Sequence, residues 1–148
     1  MTDLRLDVWS DVVCPWCYIG KRNLEAALDA YRAETGEDVE VVWRSFELDP
    51  TAPTDHHTDL AETLGRKYGT DRAGALSMMD RVASVAESVG LHYRFDIAKR
   101  CNTFDAHRVI HLGLAAGGPT LQAAVKERLL AAYFTEGADL ADRGVLAT

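Results

Sequence analysis

Residues 11–28, DVVCPWCYIGKRNLEAAL, decide how this chain is read. Two of the three cysteines, Cys14 and Cys17, stand here with two residues between them, and the character of the sequence changes across the pair. Upstream, Leu4, Leu6 and Val8 alternate with Arg5, Asp7 and Trp9, the period of a strand that ends just before Ser10 and Asp11. From Pro15 onward Leu24, Ala27, Leu28 and Tyr31 recur at helical spacing. Lys21, Arg22, Glu25 and Asp29 supply a wet face, and Gly36 supplies a stop. The cysteine pair therefore falls on a strand-to-helix junction. Residues 39–46, VEVVWRSF, are β-branched and aromatic and read as a second strand. Strand, helix and strand in this order make a βαβ unit with parallel strands and a right-handed crossover.

Outward from this unit, Asp49, Pro50 and Pro53 break the pattern and the remainder reads as helical. The spacing predicts a short helix over 58–68. It predicts a longer one over 71–89, with Leu76, Met79, Val82, Ala83, Ala86 and Val89 on one stripe. Residues 91–95 read as short and extended. Asn102 is a suitable N-cap for a helix over 103–116. Gly117, Gly118 and Pro119 then separate it from another helix over 120–134, and residues 139–148 resemble the opening of a further helix.

The chain has 148 residues, 47% apolar and 26% charged, a normal globular mixture able to bury a core without staples. A formal charge of −7 with no dense Lys/Arg run argues against nucleic acid as a partner, because phosphate binding needs clustered positive charge. No stretch approaches the ~20 apolar residues that cross a bilayer. The first residues lack the basic start and apolar run of a secretory signal. These features predict a cytoplasmic protein with no membrane partner. In that compartment thiols are kept reduced, so a permanent structural disulfide is a poor reading of Cys14 and Cys17, and Cys101 would be left over.

Two readings of the pair remain. In the first, the thiols are redox-active. The helix N-terminus directs unpaired N–H groups and the positive dipole end at Cys14, lowering its pKa from about 8.5 and making it the nucleophile. Cys17, within the first turn, then resolves a mixed disulfide formed at Cys14. Pro15 suits the first helical position, where its missing N–H has no partner to lose. Trp16 offers an apolar platform beside the sulfur. In the second reading the pair is half of a zinc site completed by Cys101, His107 and His111, the two histidines sharing a helical face. His56 and His57, in a proline-flanked loop, read as solvated.

Three segments in order, DVWSDVVCPWCYIGKRNLEAAL, VVWRSFELDP and NTFDAHRVIHLG, resemble the DsbA-like thioredoxin-fold family, in particular its FrnE-like cytoplasmic branch. That branch is similar to 2-hydroxychromene-2-carboxylate isomerases and kappa-class glutathione transferases. The resemblance implies an α/β thioredoxin-like fold with a helical insertion. Residues 1–49 would be the N-terminal βαβ half and residues 50–148 an incomplete insertion domain. The closing strand-strand-helix half, with its proline facing the dithiol, would lie outside these residues. The outer edge of the first strand would then be left open.

For function the resemblance implies a thiol-disulfide oxidoreductase with Cys14 and Cys17 as catalytic residues and no metal or other resident cofactor. Pro15, Trp16, Asn102, Thr103 and His107 would bind substrate. The substrate would be a disulfide-containing protein or a small-molecule thiol, with glutathione as a co-substrate and a homo-oligomer among the assemblies allowed. Isomerase relatives carry serine at the position of Cys14, so the retained dithiol favours disulfide exchange. A glutathione-dependent cis-trans isomerase and a zinc-binding module stand as the alternatives.

Overall fold

The computed structural model describes residues 4–148; residues 1–3, where the search for a secretory signal starts, lie outside the described residues. The elements run β1 (Leu4–Ser10), α1 (Pro15–Thr35), β2 (Val39–Ser45), α2 (Leu60–Tyr68), α3 (Arg72–Ser88), α4 (Phe104–Phe134) and α5 (Arg143–Leu146). β1 and β2 are parallel neighbours, in register from Leu4 opposite Val39 to Ser10 opposite Ser45. The βαβ unit expected from sequence is present, within a mixed α/β structure. No helix among the described residues is long and apolar enough to cross a membrane.

α1 begins with Pro15 at its first position and ends where Gly36 turns left-handed (φ 73°), its N–H closing onto the Arg32 carbonyl at 2.8 Å. The helix buries Tyr18 and Ile19 as an apolar face should. Lys21, read as a wet-face residue, is instead only 4% exposed, because Glu127 of α4 reaches across to it at 2.7 Å and Glu25 pairs with it from one turn on. Tyr18 and Arg22 bond the same Glu127 carboxylate. That carboxyl is half-buried, which opposes its charge, yet Arg22, Lys21 and Tyr18 together bring its pKa down to about 2.

α2 starts two residues and α3 one residue later than expected from sequence, since Asp59 and Asp71 are extended N-caps whose carboxylates accept from the Glu62 and Gly74 N–H groups. Ala75, Met79 and Ala86 form the buried stripe of α3, whereas Leu76 is 42% exposed. Ala75 and Met79 share a buried cluster with Ala61 of α2. Residues 91–95 form no regular strand, although Leu91 and Tyr93 are buried and the Arg94 N–H donates to the Phe134 carbonyl.

The two helices expected over 103–116 and 120–134 are the arms of α4. Gly117 and Gly118 leave helical geometry between them, Gly118 at φ 71°, and Pro119 has no N–H to continue the ladder. Thr103, not Asn102, is the N-cap residue. Asn102 still accepts from the Phe104 N–H at 2.9 Å while its amide donates to the Pro50 carbonyl, so it ties the loop after β2 to the start of α4. The expected helix near the end of the chain is the single turn α5, capped by Asp142.

Packing centres on an aromatic cluster. Tyr93 stacks on Phe134 at 4.4 Å, Tyr133 meets Phe134 edge-on at 4.8 Å, and Tyr18 and Phe95 close the sides. Val8 packs on this core, but Leu4 and Leu6 are about two-fifths exposed, so the alternation read in β1 buries only its last apolar residue. On the side of β2 away from β1, the buried Gln122 amide pairs with Trp43 as another strand would. It accepts from the Trp43 N–H and donates to the Trp43 carbonyl, both at 2.9 Å. Replacing Gln122 by Leu strands both backbone groups in the core, and urea unfolding should show a loss of about 2–4 kcal/mol.

Candidate active site

Cys14 is the N-cap of α1, extended at φ −90° and ψ 114°, and its carbonyl accepts the Cys17 N–H at 3.1 Å. Both thiols are free and half-buried. The backbone N–H groups of Trp16 and Cys17 at the helix N-terminus act to lower the Cys14 pKa. At the end of β1 the Ser10 hydroxyl donates to the Asp11 carbonyl at 3.4 Å.

The mutual influence of the two thiols dominates their acidity. It brings Cys17 down to about 6; the Ser10 hydroxyl, the Asp11 N–H and the Lys126 charge add to the effect, while burial opposes it. The same influence, reinforced by burial, pushes Cys14 up. The helix terminus was expected to hold the thiolate on Cys14. The two thiols titrate as one unit, so the first ionisation belongs to the pair and not to either sulfur.

The turn that presents the dithiol is held by Asp11, 1% exposed. Its carboxylate accepts from the Val12 and Leu48 N–H groups, both at 2.8 Å, and contacts His107 Nε2 at 3.0 Å. Burial works against the Asp11 charge, but His107 and the two N–H groups outweigh it and hold the pKa below the usual carboxylate range.

Of the residues expected to bind substrate, Trp16 lies open beside the pair, 55% exposed. The Pro15 carbonyl accepts the Tyr93 hydroxyl at 2.6 Å, which locks the first turn to the aromatic core. Thr103 and His107 are buried, and His107 reaches the turn through the Asp11 carboxylate. Asn102 is spent on the loop contacts described above, and beside it lies a hollow of about 230 Å³ shared with Thr54 and Phe104. A larger hollow of about 830 Å³, lined by Arg5, Arg32, Glu40 and Pro119, lies at the opposite end of the sheet from the dithiol.

The ligands required by the zinc alternative do not converge. His107 is committed to Asp11 and His111 to the Ser45 hydroxyl at 2.7 Å. Cys101 is buried, its thiol raised to about 11 by desolvation. Among the described residues no group of three or more His, Cys, Asp or Glu side chains could hold a metal ion. His56 and His57 are exposed, paired with Asp55 and Asp139.

Sequence reasoning passed over Ser10, Asp11, Tyr93 and Lys126 as members of the site. Lys126 left one signal. It stands with Gln122, Leu129 and Leu130 at helical spacing on the apolar side of its segment, a polar residue where a core residue belongs.

A two-stranded parallel βαβ core with a dithiol where the first strand meets its helix defines a thioredoxin-type protein. The DSBA-like thioredoxin domain family matches residues 5–148, and the chain belongs to that family. Among solved structures it is similar to a probable DsbA oxidoreductase from Streptomyces coelicolor, with a TM-score of 0.83 and 33% identity, covering 98% of this chain and 68% of that one. Among curated proteins it is similar to the uncharacterized protein YwbO of Bacillus subtilis (strain 168), 44% identical over 48 residues, or 32% of this chain. That match spans 21%, about a fifth, of the curated relative's length.

Asp11→Ala would leave His107 and two buried N–H groups without their acceptor, and equilibrium unfolding should record a loss of about 3 kcal/mol or more. Because the folded pKa of Asp11 is depressed, its contribution is complete above about pH 4 and is lost as pH falls through the lower folded value. An acid titration of stability should therefore be shallower in Asp11→Ala than in the wild type.

Proposed function

We propose that the protein is a thiol-disulfide oxidoreductase in which Cys14 and Cys17 carry the exchange. The observation that carries this reading is the pair of free, half-buried thiols two residues apart at the N-terminus of α1. Membership of a DsbA-like family supports it.

In the reductive direction, the singly ionised pair keeps its proton on Cys17 and the Cys14 thiolate attacks one sulfur of a substrate disulfide. A Cys14–substrate disulfide forms and the substrate's other sulfur leaves as a thiolate. Cys17, giving up the proton, attacks the Cys14 sulfur and releases the second substrate thiolate. The substrate gains two electrons, the protein is left with a Cys14–Cys17 disulfide, and the dithiol's protons pass to the released thiols. The reverse sequence oxidises a substrate dithiol.

The substrate is a disulfide-containing protein or a small thiol such as glutathione, received against the exposed rings of Trp16, Phe46 and Phe104. Residues 1–49 carry the dithiol and residues 50–148 support it from beneath. The motifs CPWC, VVWRSFELDP and NTFDAHR support placement in the FrnE-like branch and a cytoplasmic setting, where glutathione is at hand.

Cys14→Ser should abolish disulfide reduction, and Cys17→Ser should accumulate a mixed disulfide at Cys14 that mass spectrometry detects. Alkylation of wild type should accelerate as pH rises through about 6, the value of the pair's first ionisation. Retained turnover in Cys17→Ser with no trapped adduct would overturn dithiol exchange in favour of glutathione-dependent isomerisation.

A further inference from the structure

Tyr93 lies in the irregular segment between α3 and α4, and its hydroxyl donates to the Pro15 carbonyl, 78 residues away in the chain, at 2.6 Å. Its ring is buried, 6% exposed, stacked on Phe134 at 4.4 Å and met edge-on by Phe95 at 5.4 Å. Packing fixes the ring without help from the hydroxyl, and a phenylalanine would fill the same place. Burial pushes the pKa of the phenol up, with Tyr18, Cys14 and Cys17 adding to the effect, so the hydroxyl stays protonated and remains a donor.

The carbonyl it holds belongs to the peptide unit at the centre of the Cys14–Cys17 turn. That peptide is trans, so the Pro15 C=O and the Trp16 N–H point in opposite directions from one rigid plane. The N–H groups of a first helical turn are directed back at the N-cap, which here is Cys14. Pro15 has no N–H, and the Cys17 N–H is taken by the Cys14 carbonyl at 3.1 Å. The Trp16 N–H has no acceptor among the described residues. It is the donor left over in this turn to serve a charge on the Cys14 sulfur.

We propose that Tyr93 is a positioning residue of the dithiol: by donating to the Pro15 carbonyl it fixes and polarises the Pro15–Trp16 peptide so that the Trp16 N–H serves the Cys14 thiolate. The proposal rests on the dithiol reading of Cys14 and Cys17. Hydrogen bonds in series through one peptide unit strengthen each other, so a donor on the carbonyl makes the N–H a better donor. An N–H directed at Cys14 gains most when that sulfur is a thiolate and little when it is in a disulfide. Tyr93 thereby favours the reduced form and makes the disulfide a stronger oxidant.

The test compares three proteins that keep the ring stack: wild type, Tyr93→Phe, and a protein with 3-fluorotyrosine in place of Tyr93, a stronger donor of nearly the same size. With Cys17→Ser added to each, Cys14 is the one thiol of the motif, and its alkylation rate against pH gives its midpoint. Tyr93→Phe should raise that midpoint by about 0.5 pH unit, roughly a threefold loss of thiolate below it, and 3-fluorotyrosine should lower it. In the dithiol protein, the protein disulfide exchanges with two glutathione molecules to give the dithiol and glutathione disulfide. Tyr93→Phe should move this equilibrium about twofold toward the protein disulfide. Tyr18→Phe is the control: it removes a tyrosine hydroxyl of the same aromatic cluster that bonds Glu127 instead of the turn, and it should leave the Cys14 midpoint where it is. An unmoved midpoint in folded Tyr93→Phe, or an equal shift in Tyr18→Phe, would overturn the proposal. The fluorinated protein keeps the hydroxyl, so it decides the matter even where Tyr93→Phe loses stability; a midpoint that fails to fall there refutes the role. If wild type forms no Cys14–Cys17 disulfide, the oxidoreductase reading fails, while the Cys14 midpoints still decide whether Tyr93 acts on that sulfur.

Discussion

The carboxylate of Asp11 is the point on which the rest of the site depends. It is buried at the end of β1 and accepts from Val12 in the turn, from Leu48 beyond β2 and from His107 on α4. Three segments far apart in sequence are thereby joined at one charged group. A buried carboxylate is tolerated only when its lone pairs are filled, so the geometry that fills them is strongly selected over alternatives. The turn that carries Cys14 and Cys17 inherits its shape from that requirement.

The same economy of polar groups runs through the βαβ unit. A two-stranded sheet is marginal by itself. Here β2 gains a surrogate neighbour in the Gln122 amide, and α1 is joined to α4 by Glu127, which receives Tyr18, Lys21 and Arg22. α4 thus contributes Gln122, Lys126 and Glu127 within one and a half turns, each serving a different part of the unit. The break at Gly117 and Gly118 separates this arm from the arm bearing His107, which lets one continuous segment support the dithiol turn and the sheet from different directions.

Much of the fold was legible in the sequence because it follows from local chemistry. The alternation in residues 4–9, the helical period after Pro15, Gly36 as a left-handed stop and the Gly-Gly-Pro break all act within a few residues. The local signals misled where a distant element intervened. Lys21 has every mark of a solvated helix residue until Glu127 covers it. Asn102 has the chemistry of an N-cap but divides its amide between Phe104 and Pro50. Leu76 is apolar yet exposed, while its neighbour Ala75 takes the buried position against Ala61.

The sequence by itself determined the class of fold and the identity of the two thiols, since both are written in a short contiguous stretch where a strand pattern gives way to a helix. Only the tertiary structure decided what holds the turn that presents them. That outcome depends on Val12, Leu48 and His107 meeting the Asp11 carboxylate, and His107 stands 96 residues away in the chain. Electrostatic energies in a buried site depend on separation in space and on the loss of water around each group, and neither quantity is encoded in the spacing of residues along the sequence.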